Sequence, residues 1–442
     1  MKGYAFVRFL RPLTATLFLA LSLSAMPAPA QAAPPREVLS NWYRLVLELV
    51  RHTPTYTPPV ASRAFAYLGV MSYESVASGR GDMQTLAGQL NGLGPLPARE
   101  AGGEYDEAAV LDAALTAGAK ALFANTGPTG QRALAAMGRK QEKRVSEGLA
   151  PEVMARSATY GQAVAAHILA WAETDGGADI VNMGFPLDYT LVDTPGQWVP
   201  TSKIALQQKP LLPGWGQNRP FAMPAGTPCA LPPPPAYSED PTSAFYAQAK
   251  EVYDIKNNLT DEQRMIARYW SDDAMLSNTP PGHWIAIAQQ IAARDSLPIE
   301  RQVDVLARLG VAVADGFVGC WQAKYQYNLL RPITYIRKLI DPKWETLLIS
   351  PPFPEYPSGH STQSSAAATV MTAIFGDNFA FSDGSGVDDG LPERSFPSFE
   401  AAAHEAALSR LYGGIHFRAA IDRGFEQGAC IGAYAVALKT LR

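Results

Sequence analysis

The sequence predicts an all-α protein of two packed helical bundles joined by a Pro/Gly-rich segment. Three observations carry that expectation: apolar residues recur at helical spacing in the first half, Gly and Pro crowd residues 176–240, and helical periodicity resumes near residue 241. With 442 residues, 47% of them hydrophobic, the chain can bury one large core or two ordinary ones. The formal net charge of -4, spread without long runs of one sign, gives no support to nucleic-acid or membrane-surface binding. Anion chemistry therefore requires a local cluster of cations.

Residues 1–32 have the form of an export signal: Lys2, Arg8 and Arg11 precede the apolar run LTATLFLALSLSAM, and the small-residue site AQA ends at Ala32. The run falls short of the ~20 residues a membrane span needs. A periplasmic or secreted mature chain with no membrane anchor is the expectation. Residues 33–240 are assigned to an N-terminal bundle and its irregular connection. Leu39, Trp42, Val46 and Leu49 share one helix face, VASRAFAYLGVMSYESV follows a Pro-Pro start, and EAAVLDAALTAGAKALF and EVMARSATYGQAVAAHILAWAE continue the pattern. The stretches GGAD, PGQWVP and GTPCALPPPPAYSED then mark a connection with at most short strands.

Residues 241–442 are assigned to a C-terminal bundle. Its predicted helices are PTSAFYAQAKEVYDI, TDEQRMIARYWSDD with Thr260 as N-cap and Gln263 three residues on, GHWIAIAQQIAARD, PIERQVDVLARLGVAVADGFVGCWQAKYQY, HSTQSSAAATVMTAIF, SFEAAAHEAALSRLY and AAIDRGFEQGACIGAYAVALKTLR. Cys229, Cys320 and Cys430 are too few for a disulfide framework, although export permits one bridge. Cys320 and Cys430, in apolar helical surroundings, are expected to be small core filler.

Three short segments carry candidate chemistry. In KYQYNLLRP, Lys324 and Arg331 lie seven residues apart, nearly two helical turns, so an unbroken helix would project both from one face. Two such cations repel unless an anion or carboxylates lie between them. In PPFPEYPSGHST, Pro357 stiffens the approach to Ser358, Gly359 admits a ligand close to the backbone, and a helix starting near His360 directs free N–H groups at the same space. His360 is placed to move a proton. In SRLYGGIHFRAAID, a six-residue step along a helix would separate Arg410 and His416 by about 120°. Gly413 and Gly414 allow His416 to turn back toward Arg410. Separately, each segment fits a solvated stripe, a helix cap or a packed histidine. Together they describe a pocket for a tetrahedral or trigonal-bipyramidal oxyanion.

Lys324-x6-Arg331-Pro332, Pro357-Ser358-Gly359-His360 and Ser409-Arg410-x5-His416 resemble the three-part motif shared by vanadium-dependent haloperoxidases and bacterial acid phosphatases. The length, the segment NTPPGHW, the early PPVASRAFAYLGVMSYESV and GGIHF are similar to the haloperoxidase branch. The resemblance implies a vanadium chloroperoxidase-like fold and a vanadate cofactor, with phosphate able to occupy the same site. Lys324, Arg331, Ser358, Gly359 and Arg410 would hold its oxygens, His416 would be the metal ligand, and Lys324, His360 and His416 the catalytic groups. Its implied partners are hydrogen peroxide and a halide ion, with a small organic substrate and self-association left open. Trp321 and Phe353 stand where chloroperoxidases carry an aromatic pair, which leans toward chloride. An Asp often follows the second histidine by four residues, but Ala420 stands there, leaving Asp422 as a substitute and Asp272 and Asp273 as candidate partners of Arg410. His52, His167, His404 and His283 are assigned packing or surface roles. The same pocket would also serve an acid phosphatase with His416 as nucleophile, or a non-catalytic oxyanion-binding protein.

Overall fold

The computed structural model describes the chain apart from residues 2–32, 181–183, 187, 193, 203–206, 227 and 274–275. The export-signal reading lies outside the described residues. The predicted stripe of α1 (Pro35–Arg51) is buried at Leu39, Trp42, Val46 and Leu49. Every residue of α2 (Pro58–Ala77) after its first is buried, as expected of a helix that is apolar on all sides. Next come α3 (Glu107–Leu122), α4 (Gly127–Ser146), α5 (Pro151–Ala172) and the single turn α6 (Gly177–Ile180).

After the connection, α7 (Ala244–Asn257) precedes α8 (Asp261–Tyr269), which opens on the expected capping box between Thr260 and Gln263. The chain continues with α9 (Thr279–Arg294), α10 (Ile299–Tyr327), α11 (Pro332–Leu339), α12 (Gly359–Phe375), α13 (Phe399–Tyr412) and α14 (Arg418–Val436). Between α12 and α13, β1 (Phe381–Asp383) pairs antiparallel with β2 (Arg394–Phe396). Helix α4 was not expected from periodicity, because its buried stripe, Gly130, Leu134, Gly138, Gln141 and Val145, carries only two large apolar side chains. Nor were α11 and the hairpin.

The fold is mostly helical, and one apolar core runs through both halves of the chain. Its axis is the packing of α2 on α10, where glycine brings backbones together: a Cβ on Gly69 would stand 2.7 Å from the carbonyl oxygen of Leu306. The Gly/Pro-rich connection lies across α10. The buried carboxylate of Asp315 accepts N–H groups of Phe221, Ala222 and Met223, and Tyr325 donates its hydroxyl to the Leu211 carbonyl 2.6 Å away.

A disulfide joins Cys229 in that connection to Cys430 on α14, which corrects the reading of Cys430 as core filler. An apolar sequence context does not reveal a partner 201 residues away. Cys320 is buried and free, as expected. Gly424, Gly428 and Gly432 recur every fourth residue along α14 and face the backbone of α12. A Cβ on Gly424 would lie 2.8 Å from the Ser358 carbonyl, so the absence of a side chain there lets α14 pack closely on the start of α12. Among the described residues no helix is long and apolar enough to cross a membrane.

Candidate active site

Lys324 and Arg331 converge, but not by sharing a helix face. Helix α10 ends at Tyr327, Asn328 takes a left-handed conformation (φ 46°), and Arg331 is the extended residue ahead of Pro332, which starts α11. The chain reversal replaces the seven-residue helical step. The Lys324 ammonium donates to the carbonyls of Pro354 (2.9 Å), Glu355 (3.0 Å) and Pro357. Arg331 donates from Nε to the Phe353 carbonyl (2.9 Å) and from Nη1 to the Ile415 carbonyl (3.0 Å), while its buried Nη2 has no partner. Burial pushes Lys324 down to about 7 and Arg331 down to about 9. Both cations sit over the Phe353 ring, 5.1 and 5.0 Å from its centre, and Phe353 packs against Trp321 with centroids 4.9 Å apart.

Ser358 is the buried N-cap of α12. Its N–H donates to the Ala420 carbonyl (3.0 Å) and its Oγ accepts from the Ser361 N–H (3.3 Å). The first-turn amides of Gly359 and His360 have no partner within the helix, as helix geometry requires. The His360 side chain is 15% exposed and its Nε2 lies 3.8 Å from Oδ2 of Asp272, with no hydrogen-bond partner. Burial, followed by the Arg410 charge, pushes His360 down to about 4.

Arg410 lies in the last turn of α13, donating from Nη1 to the Trp270 carbonyl (2.6 Å), and its buried Nε is unpartnered. Neither Asp272 nor Asp273 forms an ion pair with it, contrary to expectation: the Asp272 carboxylate is engaged by His283 at 3.0 Å, and both carboxylates act on Arg410 only through their charge. Gly414, at φ +75°, and the Ile415 N–H to Arg410 carbonyl bond (3.2 Å) turn the chain back as the double glycine predicts.

His416 thereby reaches Arg331, whose Nη1 lies 3.1 Å from its Nε2, while its Nδ1 lies 2.8 Å from Oε1 of Glu355. Neighbours decide the tautomer. A guanidinium only donates and a carboxylate only accepts, so Nδ1 carries the proton and Nε2 a lone pair. Burial, then the charges of Arg331, Lys324, Arg410 and His360, hold the imidazole well below its ordinary pKa. Asp422 does not stand in for the missing Asp: it is exposed and faces Arg418 and Glu251. Glu355 does, from the loop before α12, also accepting the Phe417 N–H at 2.8 Å. Sequence reasoning missed it; its one signal is a carboxylate amid four prolines just ahead of Ser358.

Three cations act electrostatically on one lone-pair nitrogen, and Arg331 Nη2, Arg410 Nε and His360 Nε2 are buried without partners. Buried donors left orphaned are costly unless a guest satisfies them, and this set fits a small oxyanion. Of the other histidines, His52 and His404 pair with Glu48 and Glu400 at the surface, and His167 lies 3.3 Å from the Gly94 carbonyl.

Residues 304–344 and 340–441 match the model of the VCPO second helical-bundle domain. A bacterial vanadium-dependent iodoperoxidase of known crystal structure is 38% identical, covering 92% of this chain and 97% of that one with a TM-score of 0.85. The chain belongs to the vanadium haloperoxidase family. A holo-type bacterial vanadium-dependent chloroperoxidase, 16% identical over 93% of both chains with a TM-score of 0.65, shares the fold of this haloperoxidase. The vanadium chloroperoxidase of Curvularia inaequalis is 27% identical over 132 residues, which is 24% of this chain. That match spans about a fifth (22%) of the curated relative's length.

Proposed function

We propose that this haloperoxidase oxidises halide with hydrogen peroxide to hypohalous acid, using vanadate ligated by His416 Nε2 and held by Lys324, Arg331, Ser358, Gly359 and Arg410. The observation that carries this reading is the His416 Nε2 lone pair, fixed by Glu355 at Nδ1 and facing Arg331 Nη1, in the field of Arg331 and Arg410, whose guanidinium groups each keep one buried nitrogen without a partner. When bound, vanadate supplies a vanadium(V) Lewis acid that activates peroxide without changing its own oxidation state.

The chain does the rest. Arg331 and Arg410 offset negative charge on the anion's oxygens and keep it in place. Ser358, through its hydroxyl, and Gly359, through its N–H, donate at the helix start. Lys324 adds charge while its carbonyl bonds organise the loop from Pro354 to Pro357. His360, at the start of α12 beside the cradle, takes a proton from incoming peroxide and returns one to the leaving oxygen. Burial, the larger cause, and then the Arg410 charge depress His360; an anionic guest offsets the second.

Likeness to the iodoperoxidase over nearly the whole chain supports iodide as the halide turned over, with chloride, suggested by Trp321 and Phe353, as the second arm of the assay. Export is part of the same proposal, supported by the signal-like N-terminus and by Cys229–Cys430, since such bonds persist in oxidising compartments.

The deciding experiment titrates the purified protein with vanadate and follows peroxide-dependent oxidation of iodide and chloride, beside hydrolysis of para-nitrophenyl phosphate. Halide oxidation that appears with vanadate, is suppressed by phosphate and is lost in His416→Ala is expected. Phosphate-ester turnover inhibited by vanadate would favour the phosphatase reading, and phosphate binding without either activity the non-catalytic one.

A further inference from the structure

Behind His360 lies a buried cluster that the proposed reaction does not use. His283, on the first turns of α9 and 5% exposed, has Nδ1 at 3.0 and 3.2 Å from the two oxygens of Asp272 and Nε2 at 2.7 Å from Oδ2 of Asp383 on β1. Both ring nitrogens face carboxylates. A neutral imidazole has one N–H, so only the doubly protonated ring satisfies both. Trp270 stacks on it with centroids 4.5 Å apart and planes at 21°, an arrangement that suits a cation. The Tyr269 hydroxyl donates to the Asp383 carbonyl (2.9 Å) and the Ser385 N–H to Asp383 Oδ1 (2.9 Å), so the far carboxylate is anchored as well.

The clasp adjoins strained backbone. Asp272 and Thr279 both have positive φ, 49° and 62°, a strained region for residues with a Cβ. Asp272 lies in the connection after α8, and Thr279 is the first residue of α9. The His283–Asp272 pair closes that connection and fixes the Asp272 carboxylate, whose Oδ2 stands 3.8 Å from His360 Nε2.

We propose that His283, gripped by Asp272 and Asp383, is a positioning residue for the acid–base step: it pins Asp272 against His360 so that the imidazole is aligned. The proposal rests on the reading of His360 given above. Removing His283 leaves two carboxylates facing a gap and frees Asp272 to swing into the cleft of about 350 Å³ that it lines with His283 and Asp273.

A double-mutant cycle on the vanadate-loaded enzyme tests this, with His283→Gln, Asp383→Asn, His360→Ala and the pair His283→Gln/His360→Ala. Vanadate affinity and thermal unfolding are measured alongside kcat and KM for peroxide. His283→Gln is expected to lower kcat/KM for peroxide about 10–100-fold, with vanadate affinity held within about threefold. Asp383→Asn is expected to follow in weaker form. The pair is expected to be no slower than His360→Ala alone. Full activity in both His283→Gln and Asp383→Asn overturns the proposal, as do losses that multiply in the pair, or vanadate affinity that falls in step with activity. An unaffected His360→Ala instead overturns the acid–base reading itself, and an unfolded His283→Gln leaves Asp383→Asn to decide.

Discussion

The imidazole Nδ1 of His416 lies 2.8 Å from Oε1 of Glu355, and the same oxygen accepts the N–H of Phe417. One carboxylate thus sets both the tautomer of the candidate vanadium ligand and the backbone that carries it. Burial holds Glu355 up at about 7, opposed by Arg331, so its charge depends on the cations around it.

Glu355→Gln keeps the size and an oxygen that accepts from Nδ1 and from the Phe417 N–H, but removes the charge that holds the ring in its tautomer and orientation. Vanadate affinity, read by titrating halide oxidation in the vanadate-free protein, is expected to fall about 10–100-fold. An unchanged titration would show that Glu355 does not orient the ring.

The α12–α14 contact predicts a difference between two equally small changes. Gly424→Ala and Gly432→Ala each put a methyl 2.8 Å from a carbonyl oxygen of α12, of Ser358 and Ala366 respectively. Overpacking of this kind costs about 1–3 kcal/mol, visible in urea unfolding of both. Only Gly424→Ala is expected also to weaken vanadate binding, since only its methyl presses on Ser358.

Cys229–Cys430 fastens the connection to the bundle that carries the site across 201 residues of chain. Replacing both with serine, or adding a thiol reductant, is expected to lower stability by about 2–5 kcal/mol. Calorimetry in each condition measures it. Cys320, buried in α10, is expected to resist alkylation until the protein unfolds.

Glu74 on α2 supplies a pH dependence away from the site. It is 2% exposed and burial pushes it up from 4.5 to about 7, despite bonds from the Leu86 N–H and the Thr85 hydroxyl. Between those values the folded chain holds a proton that the unfolded chain has released, so this contribution to stability falls as pH rises from about 4.5 to about 7. Relative to Glu74→Gln, the parent is expected to lose at most about 3 kcal/mol over that window. Chemical unfolding of both proteins at several pH values checks it.

The sequence by itself determined the helical architecture, most helix positions and the residues that meet at the candidate site. Apolar periodicity is local, and the motifs around Lys324, Ser358 and His416 are short segments whose residue types already imply their chemistry. Tertiary structure decided how those segments meet. Lys324 and Arg331 converge through a chain reversal at Asn328, Glu355 rather than Asp422 orients His416, and Asp272 turns to His283 instead of Arg410. Each of these outcomes depends on which buried donor lies nearest a given acceptor once distant segments pack together. Linear spacing cannot rank such partners: Glu355 is 61 residues from His416, and Asp383 is 100 from His283.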